Sequence, residues 1–149
     1  MENSSIDYVT RVLSSPDAID AAIWNDLLAE QPRATLFMRH EYLSALHHSQ
    51  SAVPDTGWAF RMLILEHRGS VVAGCVAYIK QHSFGEYVFD WAWARAYQEH
   101  GLSYYPKAIV AVPFTPVPGS RLLARSGWLP VRKACTWPIR RKECSASTG

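Results

Sequence analysis

The sequence predicts an α+β domain, and three stretches predict it: apolar residues at helical spacing over 16–49, two apolar runs joined by a Gly-containing turn over 58–80, and a continuous apolar run over 108–114. With 149 residues, 48% of them hydrophobic, the chain is long enough for one domain with a real core and too short for two.

Tyr8 to Leu13 reads as a short strand, and Ser14, Ser15, Pro16 and Asp17 then supply turn and helix-start chemistry. In the helix that follows, Ile19, Ala22, Ile23 and Leu27 fall at three- and four-residue spacings. Trp24 and Leu28 widen that stripe, and Gln31-Pro32 ends it. Arg39 to Ser49 forms a second, shorter helix with Tyr42, Leu43 and Leu46 on one face, closed by loop signals at Pro54, Asp55 and Gly57. From Trp58 the pattern changes to a β-hairpin, W-A-F-R-M-L-I-L-E and V-V-A-G-C-V-A-Y-I-K, with a three-residue turn His67-Arg68-Gly69. Tyr87, Phe89, Trp91 and Trp93 alternate at period two, which predicts a half-buried strand carrying Glu86, Val88 and Asp90 on its other face. One or two helical turns over Ala94–His100 should stop at Gly101. Ala108–Phe114 should be a buried strand with Pro113 at its end, and Leu122-Leu123-Ala124 should begin a helix after the Pro/Gly loop.

Charge and cysteine content exclude several function classes. Net charge is +2, but residues 125–149 carry +5 and residues 1–124 carry −3, so broad nucleic-acid binding is expected of the basic tail only. Cys75, Cys135 and Cys144 show neither a C-x-x-C spacing nor a His pair at a finger distance, and the spacing of His82, Glu86 and Asp90 belongs to no metal motif, so no metal is expected. The N-terminus lacks the basic and then apolar regions of a secretory signal, and no run approaches the roughly 18 apolar residues of a membrane span. The expectation is a cytoplasmic protein.

Chemistry concentrates in residues 82–123. Glu86 and Asp90 are the candidate acid or base groups if they line a cleft, with core-facing or solvent-facing roles as the plain alternative. The aromatics form either core packing or the wall of a recognition surface. The loop Thr115-Pro116-Val117-Pro118-Gly119-Ser120-Arg121, set between a strand and a helix start, is a place to hold an anion, or an ordinary connection. Neither G-x-G-x-x-G nor G-x-x-x-x-G-K-[ST] occurs in it, and Pro116 and Pro118 each remove a donor. No G-x-S-x-G occurs, so covalent catalysis has no support.

On H-S-F-G-E-Y-V-F-D-W-A-W, H-G-L-S-Y-Y-P-K and V-P-F-T-P-V-P-G-S-R-L-L, and more loosely M-R-H-E-Y-L-S-A-L, the chain resembles the N-terminal half of the FemAB-like family of the GNAT acyltransferase superfamily, over roughly residues 8–124. The resemblance implies a GNAT-like, mostly antiparallel sheet with flanking helices, incomplete here, and transfer of an acetyl or aminoacyl group to an amine. The donor it implies is acetyl-CoA, another acyl-CoA or an aminoacyl-tRNA, and the acceptor a small-molecule amine or a cell-wall precursor. By position, Thr115, Gly119, Ser120 and Arg121 take the donor role. Glu86, Asp90 and Tyr104 are the catalytic candidates, and Trp91, Trp93, Tyr105 and Lys107 line the acceptor wall. Such family chains are more than twice this long, and after Leu123 the resemblance stops. The expectation is therefore a truncated acyltransferase-like domain over 1–124 with an irregular, frame-shifted or disordered tail over 125–149, whose activity as a separate chain is open. The rival expectation is a non-catalytic module that uses the aromatic segment 82–105 to bind a sugar, a peptide or a protein.

Overall fold

The computed structural model describes residues 7–87 and 90–127, and within them the chain is an α+β domain with a five-stranded antiparallel sheet and three α-helices. Strand β1 (Tyr8–Leu13) lies at one edge and pairs with β2 (Ala59–His67), which pairs with β3 (Ser70–Lys80) along its whole length. The other side of β3 is shared: β4 (Lys107–Ile109) takes Tyr78–Lys80, and β5 (Leu122–Ala124) takes Ala73–Cys75.

The helices behave as the spacing predicts, with a shifted start. Ser15 caps only a 3-10 turn, Pro16–Ala18, and Asp20 caps α1 (Ala21–Ala29) by accepting from the amides of Ala22 and Ile23 at 2.9 and 3.2 Å. Helix α2 (His40–His48) has no cap of its own; Asn25 of α1 accepts from the His40 amide at 3.0 Å and satisfies it. Both helices cover one face of the hairpin, where Trp24, Leu27, Met38, Leu43, Trp58, Met62 and Ile64 are almost fully buried. The Trp24 indole N–H donates to the Met38 carbonyl at 2.7 Å, and Gln31, buried after α1, donates to Ala124 of β5 at 2.9 Å. Gly74 of β3 is a close approach: a Cβ there would stand 2.7 Å from the Trp24 ring.

Four expected elements differ. The hairpin turn is a two-residue loop, because Arg68 and Gly69 both take positive φ (49° and 76°), the primed geometry that matches strand twist. The aromatic strand is not formed at Trp91 and Trp93, which lie on α3 (Trp91–Glu99); Ala92, Ala94 and Ala96 between the aromatics favour helix, and that local preference wins over the period-two pattern. Phe89 of that strand lies outside the described residues. The strand expected over Ala108–Phe114 is only β4, because Val110 turns outward, Pro113 has no N–H and Phe114 adopts a left-handed φ of 58°. That early departure leaves Ala73–Cys75 without a neighbour, and Leu122–Ala124 fills the place as strand β5 instead of starting a helix. Of the expected tail, Arg125–Gly127 is described: the Arg125 amide donates to Val72 at 2.9 Å and its guanidinium meets Glu30 at 2.7 Å. The remainder lies outside the described residues.

Candidate functional site

The end of β3, the turn that follows it, the start of α3 and the start of β4 meet at one polar cluster. Lys107 is the hub, because it opens β4 opposite Lys80 at the end of β3. Its ammonium donates to Glu86 Oε2 at 2.8 Å, to Ser83 Oγ at 3.0 Å and to Asp90 Oδ2. Asp90 stands at the N-terminus of α3 but makes no cap there; its carboxylate accepts from Ser83, Tyr104 and Lys107 instead. Ser83 also shares a hydrogen bond with the Tyr105 hydroxyl at 2.6 Å.

The electrostatics follow from these contacts. Burial pushes Asp90 up, but the hydrogen bonds from Lys107, Ser83 and Tyr104 outweigh it and hold the carboxyl at about 2. The bond to Asp90 and burial push the Tyr104 hydroxyl up to about 12, so it stays protonated. Burial lowers Lys107, yet the bonds to Asp90 and Glu86 win and keep it above its ordinary value. Glu86 differs from Asp90 in having a spare atom: Oε1 is buried with no partner, while its side chain is 11% exposed.

Beside Glu86 opens a cavity of about 270 Å³ lined by Trp58, Gly85, Tyr87, Val112, Phe114 and Thr115, among others. The walls are mainly apolar, and the Trp58 indole N–H is likewise buried without a partner. Gly85 fits there because its φ is +79° and a Cβ would meet the Phe114 ring at 2.8 Å.

The structure thus brings Glu86, Asp90, Tyr104, Tyr105 and Lys107 together and adds Ser83, Trp58 and Phe114, which were not among the expected site residues. Trp91 and Trp93, on α3, are 50% and 66% exposed and stand outside the cluster. Phe84 packs on Trp91 with ring centroids 5.7 Å apart. Thr115 lines the cavity and shares a 3.4 Å hydrogen bond with Tyr42, whereas Arg121 donates within the loop to the Val117 carbonyl at 2.5 Å, and Gly119 and Ser120 lie against the segment before α2. There the Ser120 amide donates to Arg33 at 2.9 Å, and the position of a Cβ on Gly119 is 2.4 Å from Thr35 Cγ2.

Much of the backbone of this loop is already engaged. The amides of Thr115, Val117 and Ser120 already donate to carbonyls, Pro116 and Pro118 have none, and a strand follows where a helix N-terminus was expected. What the loop offers is the Arg121 guanidinium, whose Nη1 is buried without a partner and whose pKa burial lowers. Among the described residues no group of His, Cys, Asp and Glu is arranged to hold a metal ion, and no helix is long and apolar enough to cross a membrane.

No curated protein and no solved structure matches the chain. A family model does: the FemAB-like model, described as peptidoglycan biosynthesis/recognition, matches residues 15–136, which takes in all three α-helices, the whole sheet beyond β1, the Lys107 cluster and part of the basic segment past residue 124. The chain belongs to the FemAB-like family.

Proposed function

We propose that this domain serves N-acyl transfer to an amine carried by a cell-wall precursor, with the acceptor nitrogen entering the Trp58–Phe114 cavity beside Glu86. One observation carries the reading: a mainly apolar cavity bordered by a carboxylate whose second oxygen is unpaired, in a chain of a peptidoglycan family. The nitrogen lone pair forms the new bond to the acyl carbon, the leaving group departs with its electron pair, and the proton lost from nitrogen passes to Glu86 Oε1. Asp90, held at about 2, is too weak a base for that step and serves as the anchor of Lys107 and Tyr104. Tyr104 keeps its proton and donates a hydrogen bond to Asp90, so its part is to hold that carboxylate in place beside Lys107. Acyl-CoA and aminoacyl-tRNA share phosphate chemistry, and Arg121 is the residue we assign to it. The reaction is proposed for the cytoplasm.

The test is transfer of labelled acyl groups from acetyl-CoA or from alanyl-tRNA to a muramyl peptide that bears a free amine. Product formation that falls at least about a hundredfold in Glu86→Gln supports the reading. A folded chain that binds the peptide but transfers nothing from either donor overturns it. That outcome favours a binding module instead, for which the exposed Phe84, Tyr87, Trp91 and Trp93 supply stacking surface. Binding would then be lost in Trp91→Ala and unaffected by Arg121→Ala.

A further inference from the structure

Lys80, the last residue of β3, is 0% exposed. A buried ammonium is costly unless paired, yet among the described residues no carboxylate lies within ion-pair distance of it. Its partners are the Phe84 carbonyl, at 2.7 Å, and the face of the Trp58 indole, 3.7 Å from the ring centroid. One of these partners lines the cavity, and the other lies in the turn that carries Glu86. Trp58 lines the cavity and its Nε1 stands 3.1 Å from where a Cβ on Gly85 would be. Phe84 precedes Gly85 in a turn closed by the Glu86 amide on the Ser83 carbonyl at 3.3 Å. One cation therefore touches a lining residue of the cavity and the turn that carries the carboxylate.

We propose that Lys80 is a positioning residue: its ammonium pins the 83–86 turn onto Trp58 and so sets where Glu86 stands between Lys107 and the cavity. An uncharged side chain of similar length would fill the same space at a lower desolvation cost. What it would lose is the charge-assisted bond to Phe84, and with it the tie between turn and indole. The functional half of this inference rests on Glu86 being the acceptor-side carboxylate; the structural half does not.

The experiment compares Lys80→Met and Lys80→Arg with the unaltered chain by amide hydrogen exchange and by n-butylamine binding. In Lys80→Met, exchange at Glu86, whose amide closes the turn, is expected to quicken about tenfold or more while Met62 and Val76 in the paired strands keep their protection; Lys80→Arg restores most of it. n-Butylamine should bind about tenfold more weakly to Lys80→Met, and adding Glu86→Gln should cost little more, because the two changes act through one group. Unchanged exchange at 83–86, or quickening spread evenly over β2 and β3, overturns the proposal. Additive losses in the double variant also overturn it, since they would mean that Lys80 does not act through Glu86. If the unaltered chain binds no n-butylamine, the amine reading of the cavity fails, and the exchange comparison still decides the role of Lys80.

Discussion

The helix-covered hairpin and the segment from residue 81 to residue 121 are held by different physics. In the first, β2 and β3 pair over nine positions and bury Met62, Ile64 and Tyr78 in one cluster with Trp24 of α1 and Leu43 of α2, so geometry follows from area and shape. In the second, α3 buries no residue and β4 is three residues long, and the polar cluster at its centre is tied by one lysine with three oxygen partners. The comparison teaches that the rigid half supplies a platform, and that the site half is specified by charge and is correspondingly open to change at single residues.

The contrast can be broken hardest from the core side. Trp24→Ala should destabilise the chain by about 4 kcal/mol, read by denaturant unfolding, because it empties a fully buried volume and frees the Met38 carbonyl. Lys107→Met comes next, at about 3 kcal/mol. It leaves Glu86 and Asp90, both mostly buried, facing each other without their cation, and thermal unfolding should show the loss with the circular dichroism of the folded state retained. A loss under about 0.5 kcal/mol would mean that the site half is not held by charge.

Acid should act on the site half through Asp90. The folded Asp90 carboxyl sits at about 2 against an ordinary 3.8, so its contribution is complete above pH 4 and is lost as pH falls through the folded value. Roughly 2 kcal/mol should disappear between about pH 4 and pH 2, and Asp90→Asn should remove that part of the acid slope. The smallest effect is expected at Trp93, 66% exposed on α3: Trp93→Ala should shift stability by no more than about 0.5 kcal/mol, so any large loss of muramyl-peptide binding there would come from direct contact with ligand.

The same division decided what could be read from the chain. Helices α1 and α2 and the β2–β3 pair were legible, because their apolar residues repeat at the period of the element they form. The elements of the site half were not. Trp91 and Trp93 repeat at a strand period inside a helix, and Leu122–Ala124 became a strand only because β4 left the edge of β3 vacant, a fact of tertiary geometry. Glu86 and Asp90 were singled out by residue type, and Tyr104, Tyr105 and Lys107 through the family resemblance, whereas Ser83 carried no signal. Lys80 did carry one: Val76, Tyr78 and Lys80 alternate onto the buried face of β3, and a lysine in that phase should be read as a buried lysine.

Gly74 and Trp24 occupy what is in effect one shared volume, with 2.7 Å between the ring and the place of a missing Cβ. A change at either position is therefore a change at both. Gly74→Ala should be harmful alone and tolerable beside a smaller aromatic at position 24, and a shrunken residue at 24 should leave room that only a side chain at 74 can refill. In evolutionary terms the two positions, fifty residues apart, form a compensating pair. Substitution at one is expected to be licensed by prior substitution at the other, a constraint on the order in which this core can drift.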